Sequence, residues 1–188
     1  MKKFIKEHWF LIFLAFLATV LVTLKFLIYI TPIPLQPSSV SQSNTWKEIV
    51  PQVSTSKDLQ KILGQPIDIQ KEKDLVVYFY PSETENWPTK IYVSETTQKV
   101  TLIKRFFPSP SETYQSFISQ FGPPDKELFG PHQGAGFSVF VFLKKGVAIV
   151  ANPNSGMILE IWYFSPTTLE DFLSSWGKDL TSTPPERF

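Results

Sequence analysis

The stretch QSFISQFGPP at residues 115–124 repeats the pattern of KDLQKILGQP at residues 57–66, which lies 58 positions earlier in the chain. We call this distance the repeat offset. In both stretches apolar residues recur at the spacing of one helix face, and the run ends in a glycine followed closely by proline. Apolar residues at i, i+3 and i+4 indicate an amphipathic helix, and Gly with a nearby Pro is typical of a helix C-terminus. The chain is therefore predicted to contain the same short helix twice.

Start signals precede both helices. Ser54 or Thr55 can cap the first helix, and Thr55 and Asp58 have the spacing of a capping box. For the second helix, Ser109 is the expected N-cap and Glu112 falls at the third helical position. The predicted helices thus begin near residues 55 and 110.

The repeat offset continues beyond the helices, because KIYV at 90–93 matches AIVA at 148–151, and VTLI at 100–103 matches ILEI at 158–161. Each unit is predicted to be a helix followed by three strands, with a four-residue insertion after the second helix. This pattern indicates a tandem duplication, with repeats at about 46–105 and 106–164. The predicted strands are 75–80, 89–94 and 99–105 in the first repeat, and 137–143, 146–151 and 157–164 in the second.

One repeat is too small to bury a core that is stable alone. Two repeats can join their strands into one antiparallel sheet with the helices packed on one face, which predicts an α+β domain over residues 46–180. VFVFL and ILEIWYF are apolar on both faces, so part of the second face also needs cover. A third helix at about 167–177 can supply that cover, and the tail 181–188 is predicted to be disordered.

The N-terminal region carries the signal of a membrane span. Trp9–Ile30 has Lys25 as its one charge, and most of its other residues are Leu, Ile, Phe or Val. With a rise of about 1.5 Å per residue, a helix of this length crosses a hydrocarbon core of about 30 Å. A cleaved signal peptide would have a shorter apolar core and an Ala-x-Ala site, and a buried soluble helix is rarely apolar on all faces. We predict a retained transmembrane helix at 9–30 that contacts the lipid bilayer.

Charge sets the predicted topology. Residues 1–30 hold four Lys and one Glu (4 − 1 = +3), whereas residues 46–188 hold 14 Lys and Arg against 16 Asp and Glu (14 − 16 = −2). The positive-inside bias places residues 1–8 in the cytoplasm and the C-terminal domain outside it. Residues 31–45, TPIPLQPSSVSQSNT, are a Pro/Ser-rich linker without charge. We therefore expect a single-pass envelope protein, with no nucleic acid among its partners.

The sequence contains few residues in patterns typical of catalysis or metal binding. The chain has no Cys and two His, and it contains no metal-binding loop, phosphate loop or nucleophile elbow, so we expect no cofactor and no metal. Glu83 and Glu85 beside Trp87 can mimic a carboxylate pair, although a solvated hairpin tip is the simpler interpretation. No catalytic residue is predicted.

The segment WKEIVPQVSTSKDLQKILGQP, residues 46–66, resembles the opening of the SmpA/OmlA family of small outer-membrane assembly lipoproteins. A tandem version of that helix-plus-sheet unit resembles the beta-lactamase-inhibitor-protein-like fold. Here a membrane helix replaces the lipidated Cys of the family. The resemblance implies a domain that binds other proteins. The positions that carry the motif are Ile49, Pro51, Ser54, Leu63, Gly64 and Pro66.

Aromatic residues make up 15% of the chain. Buried aromatic side chains pack in cores, and exposed ones concentrate binding energy at protein interfaces. We expect a protein-interaction module of the cell envelope that binds a protein or peptide partner. The alternatives are a carboxylate-based envelope hydrolase and a passive spacer. The candidate interaction patch consists of Trp87, Phe106, Phe107, Phe129 and Trp162.

Overall fold

The computed structural model describes residues 44–82, 87–106, 110–132 and 135–184, and the strands of this part form one antiparallel sheet. The sheet has eight strands in the order β1-β2-β3-β4-β8-β7-β6-β5. The strands are β1 (Asp68–Glu72), β2 (Leu75–Tyr80), β3 (Thr89–Ser94), β4 (Val100–Phe106), β5 (Lys126–Leu128), β6 (Ser138–Phe142), β7 (Val147–Ala151) and β8 (Ile158–Phe164). The helices are α1 (Ser56–Leu63), α2 (Tyr114–Phe121), α3 (Leu169–Ser175) and a short 3-10 turn at Leu143–Lys145.

The two halves have the same strand order, which agrees with the predicted duplication. Helices α1 and α2 are separated by the repeat offset at both ends, and β4 and β8 begin at the same separation. A register shift between Tyr92 and Val93 recurs between Val150 and Ala151, which are the equivalent positions of the second half. The α+β class and the antiparallel sheet are therefore confirmed.

The predicted strands all exist within a residue or two of the expected positions, but the sequence analysis missed β1 and β5. All five residues of β1 are exposed, and β5 has three residues. Neither strand shows the apolar alternation of a half-buried strand, so only its pairing with a neighbour defines it. Each half accordingly has four strands, not three.

The predicted insertion after α2 is also present. Val77 of β2 pairs with Tyr92, and Val139 of β6 pairs with Val150. Tyr92 and Val150 are separated by the repeat offset, whereas Val77 and Val139 are further apart than that. The extra residues therefore lie between α2 and β6, in the part of the second half that the sequence analysis identified.

The helix starts follow the repeat more closely than the local signals. Thr55 caps α1 in a capping box with Asp58, as predicted, and the equivalent Thr113 caps α2 with Ser116. The expected N-cap Ser109 was wrong, because the helix begins at Tyr114. Glu112 instead binds Arg105, which places it before the helix. Both helices end at glycines, with φ values of 81° and 77°, in a region that favours glycine.

The sheet buries apolar side chains on both faces. On one face, Leu59 of α1 and Phe117 of α2 pack onto a core that includes Ile91, Ile149 and Ile161. The second face of the sheet carries a separate cluster, in which Phe172 of α3 packs with residues of both halves. The helices of the two repeats therefore share one face, and α3 supplies the cover that the apolar strands required. The sheet residues of this second cluster are Leu102, Leu128, Val139, Val141, Ala148, Val150, Trp162 and Phe164.

Strands β4 and β8 join the two halves. Their register pairs Leu102 with Phe164 and Phe106 with Glu160. On the α1–α2 face, the Arg105 guanidinium donates two 3.0 Å hydrogen bonds to Glu112 and one of 3.2 Å to the Tyr163 hydroxyl. Burial acts to lower the pKa of Arg105, but these bonds outweigh it and the net shift is upward, so the side chain stays charged. The joint is thus held by backbone pairing, apolar packing and one ion pair.

The ends of the folded part differ slightly from the predicted boundaries. Asn44, assigned above to the linker, is buried and donates a 3.1 Å hydrogen bond to the Phe164 carbonyl. Thr181, assigned to the disordered tail, pairs with Phe129 through two backbone hydrogen bonds of 2.8 Å. The predicted span 9–30 lies outside the described residues. None of the helices in the described part is long and apolar enough to cross a bilayer.

Because β4 and β8 join the two halves into one sheet, we expect the halves to unfold together. Ile161 on β8 is fully buried, so Ile161→Ala is expected to lower the free energy of unfolding by about 2–5 kcal/mol. Val53→Ala, at a site 66% exposed, should change it by no more than about 0.5 kcal/mol. Denaturant unfolding followed by Trp fluorescence and by circular dichroism measures both values. Two separate transitions in the wild type would contradict a single core shared by the halves.

Candidate functional site

The local symmetry of the sheet places Lys104 opposite Trp162. These residues are partners in the β4–β8 register and are themselves separated by the repeat offset, so they lie at the centre of the duplicated arrangement. The Lys104 ammonium lies 3.8 Å from the centroid of the Trp162 ring. A cation over an indole face is stabilised by about 0.5–2 kcal/mol, depending on its exposure to water. The centre of the domain therefore carries a cation–π pair on the face where α3 lies.

A cavity of about 180 Å³ opens beside this pair. Strands β4, β6, β7 and β8 form its floor, and the loop after β5 and the segment after α3 form its walls. A cavity of about 150 Å³ is large enough to hold one benzene-sized group, so this one has room for a single side chain. Its polar and aromatic lining consists of Lys104, His132, Phe137, Glu160, Trp162, Trp176 and Asp179.

Glu160 is the buried acid of the cavity, with 8% of its surface exposed. It lies two residues from Trp162 on the same strand, so both side chains are on one face of the sheet. The Trp162 indole N–H donates a 2.6 Å hydrogen bond to Oε2 of Glu160. This bond orients both side chains at the cavity floor.

Burial lowers the pKa of Lys104, and the nearby Glu160 carboxylate opposes this effect. Among the described residues, the Lys104 ammonium makes no hydrogen bond and no ion pair within 4.0 Å. An ammonium has three donors. A charged donor group is thus held at the cavity without a direct acceptor from the described protein.

Tyr92 borders the same region. Its ring lies 6.4 Å from that of Trp176. Burial, followed by the charges of Glu72 and Glu160, raises the pKa of Tyr92 to about 12. The hydroxyl therefore remains a neutral donor at physiological pH.

The structure brings three of the five predicted patch residues to one region. Trp87 stacks on Phe106 with ring centroids 6.1 Å apart, and the Lys90 ammonium lies 5.6 Å from the Phe106 ring. Lys90 is the register partner of Lys104, which in turn covers Trp162. Trp87 is 51% exposed and Trp162 is buried. We call this set the aromatic–lysine face: Trp87, Lys90, Lys104, Phe106 and Trp162.

The two other predicted patch residues are not part of this face. Phe129 is half-buried and pairs through its backbone with Thr181. Phe107 lies outside the described residues, and so do Glu83 and Glu85 of the possible carboxylate pair. His132, in the loop after β5, is exposed and lies at the rim of the cavity.

Lys90, Lys104 and Glu160 were not predicted as site residues from the sequence. A signal for the two lysines exists in the duplication, because their equivalents in the second repeat are Ala148 and Trp162. A charged residue aligned with a buried apolar one in the other repeat departs from the shared core pattern. In the part of the chain that the structure describes, no group of three His, Cys, Asp or Glu is placed to hold a metal ion.

No protein-family model and no curated protein matches the chain. Two solved structures are similar to part of it. A DUF4309 family protein (YjgB) from Bacillus subtilis subsp. subtilis str. 168 is 14% identical with a TM-score of 0.41, over 61% of this chain and 80% of that one. An extracellular protein containing a SCP domain from Bacillus anthracis str. Ames is 12% identical with a TM-score of 0.46, over 77% of this chain and 52% of that one. Similarities with such low identities and TM-scores do not support an inference about function. The SmpA/OmlA resemblance remains a prediction.

The half-buried Lys104 predicts a pH-dependent stability. The folded chain releases the Lys104 proton below the ordinary pKa of 10.5, so the unfolded chain binds more protons between the lowered pKa and 10.5. Within that window the free energy of unfolding gains a positive slope with pH from this group. Lys104→Met removes the cost of a partly buried charge, so the variant should have a higher free energy of unfolding than wild type at neutral pH, and this difference should narrow towards pH 10.5. Denaturant titrations of both proteins at several pH values measure this difference in the free energy of unfolding.

The matched control is Lys57→Met, which removes one exposed lysine from α1. It corrects for the loss of one positive charge from the whole chain. If the difference in free energy of unfolding between Lys104→Met and wild type does not change with pH, the lowered pKa assigned to Lys104 is contradicted.

Proposed function

We propose that this chain is a membrane-anchored protein-interaction module of the cell envelope, and that the aromatic–lysine face binds its protein partner. Residues 9–30 anchor it in the bilayer with the N-terminus in the cytoplasm, and the α+β domain lies on the extracytoplasmic side. The sequence supports this topology through the apolar length of the span and the lysines that precede it. The anchor confines the domain near membrane-bound partners and raises its effective concentration.

One observation carries the binding proposal: the Lys104 ammonium is held at a cavity, next to exposed aromatic surface, without a direct acceptor among the described residues. Burying a charge costs stability unless a partner group compensates it. A ligand group that accepts hydrogen bonds, such as a backbone carbonyl or a carboxylate, would supply that compensation. The cavity has room for one side chain, which suits the anchor residue of a protein partner better than a whole small substrate.

Trp87 supplies the second element of the proposed surface. It is 51% exposed, and its stacking on Phe106 holds a large flat apolar ring at the surface. Exposed Trp residues are enriched among the side chains that dominate interface energies. An aromatic contact beside a charged cavity fits the interface pattern of an apolar centre with a few oriented polar groups.

A carboxylate-based hydrolase is the second candidate, because Glu160 and Asp179 line the same cavity. General acid–base hydrolysis needs two such groups in different protonation states. This hypothesis predicts that Glu160→Gln abolishes turnover of a hydrolysable ligand while the ligand still binds. A passive spacer would show neither binding nor turnover.

The test is affinity capture from native membranes with the full-length tagged chain. Trp87→Ala and Lys104→Met should each weaken recovery of the same partner by about tenfold or more, the loss expected when an interface anchor is removed. Lys57→Met, on the α1 side of the sheet, is the matched control and should recover the partner as well as wild type does. Equal recovery by all four proteins would exclude this face as the binding surface.

A further inference from the structure

Strand β1, at the outer edge of the first half, exposes apolar side chains where the second half exposes charged ones. Ile67, directly before β1, is 64% exposed, and Ile69 within β1 is 51% exposed. The positions that follow them by the repeat offset are Asp125 and Glu127, which are also exposed. The two edges of the sheet therefore have the same place in the fold but differ in polarity at these two positions.

Backbone hydrogen bonds confirm that these positions are equivalent. The Ile67 N–H donates to the Phe79 carbonyl at 2.8 Å, and the Asp125 N–H donates to the Val141 carbonyl at 2.8 Å. Ile69 pairs with Tyr78, and Glu127 with Phe140. Since the second half folds with acidic residues at these places, the fold itself does not require isoleucine there.

The two edges also differ in their protection. Strand β5 is three residues long, and the next residue, Phe129, already pairs with the extended backbone of Thr181. Strand β1 is five residues long, and no described segment pairs with its outer side. Proteins usually protect sheet edges by shortness, charge or cover, because an exposed edge binds other strands. The β1 edge carries three charged residues, of which Lys71 is paired with Glu95 at 2.6 Å, but it has no cover among the described residues and it also presents Ile69.

We propose that β1 is a second binding site, separate from the aromatic–lysine face, that takes up an extended segment of a partner protein by antiparallel strand addition. Opposed residues of paired antiparallel strands point to the same face. Apolar partner residues would therefore meet Ile67 and Ile69, and the intervening partner residues would meet Asp68 and Glu72 on the other face. Charge complementarity assigns basic residues to those places, so the segment alternates apolar and basic residues.

The hydrogen bonds of Asp68 support the basic requirement. Its carboxylate accepts from the Ile69 N–H at 2.8 Å and from the Gln70 amide at 2.8 Å, so it occupies a backbone donor of the edge strand. A lysine or arginine opposite Asp68 would draw the carboxylate towards itself and leave the N–H for the added strand. A basic partner would therefore make the Ile69 N–H available for strand pairing, whereas an acidic partner would leave it bonded to Asp68.

A second copy of this chain is a poorer occupant. Antiparallel pairing of two β1 strands over their full length, centred on Gln70, would place Asp68 opposite Glu72 of the other copy, twice. Like charges directly opposite each other destabilise a strand pair. The charge pattern thus favours a different chain over self-association.

The test measures binding of a fluorescent peptide of alternating valine and lysine to the full-length chain in detergent, by anisotropy. Replacing Ile67 and Ile69 by the residues of the other edge, Ile67→Asp with Ile69→Glu, should weaken binding by about tenfold or more. Because this variant adds negative charge, non-specific attraction of the basic peptide would become stronger, not weaker. Val53→Asp, at another exposed apolar site, is the matched control and should not weaken binding.

Two further peptides test the mode of binding. Only alternate N–H groups of an added strand face β1, so N-methylation of the valines or of the lysines should abolish binding in one case and spare it in the other. Unchanged binding by the Ile67→Asp, Ile69→Glu variant, or by both methylated peptides, would overturn the proposal. The proposal would also be overturned if the peptide does not bind and the wild-type chain sediments as a dimer that the Ile67→Asp, Ile69→Glu variant disrupts.

Discussion

The backbone ladder between β4 and β8 is the constraint on which the rest of the structure depends. It joins two four-stranded halves into one sheet and sets their register about Lys104 and Trp162. One half alone would leave a central strand as an unprotected edge and too little buried surface for a stable core. Once the ladder forms, Ile103 and Ile161 are buried together and Arg105 reaches Tyr163. The cavity beside Lys104 is a consequence of the same register.

The domain is symmetric in its backbone and asymmetric in its chemistry. The strand order, the helix positions and even the register shift recur in both halves. The additions to the second half break this symmetry, because α3 packs on one face and Thr181 pairs beyond β5. The first half instead has isoleucine at its sheet edge, and lysine where the second half has Ala148 and Trp162. Residues that only one half carries are not required by the fold that both halves share. Both proposed binding surfaces include such residues.

Much of the fold was predictable because its signals are local or repeated. The α1 capping box, both glycine helix ends and the six apolar strands each have a pattern that needs no partner to be recognised. The N-cap of α2 shows the limit of local signals: Ser109 fits the rule, yet Thr113 caps the helix, and Glu112 precedes the helix and binds Arg105. The repeat offset from Thr55 would have identified Thr113. Strands β1 and β5 have no such pattern, since exposed polar residues form a strand only where a neighbouring strand accepts their backbone hydrogen bonds.

The candidate site was only partly predictable. The aromatic composition pointed to Trp87, Phe106 and Trp162, but it could not distinguish the exposed Trp87 from the buried Trp162. By itself, the sequence determined the repeated helix, six of the eight strands, the antiparallel α+β class and the apolar N-terminal segment, because each depends on residues close together in the chain. Tertiary structure alone decided that Lys104 lies on Trp162 beside Glu160 and that Ile69 lies on an outer edge. These contacts follow from strand order and register, which bring together residues far apart in sequence.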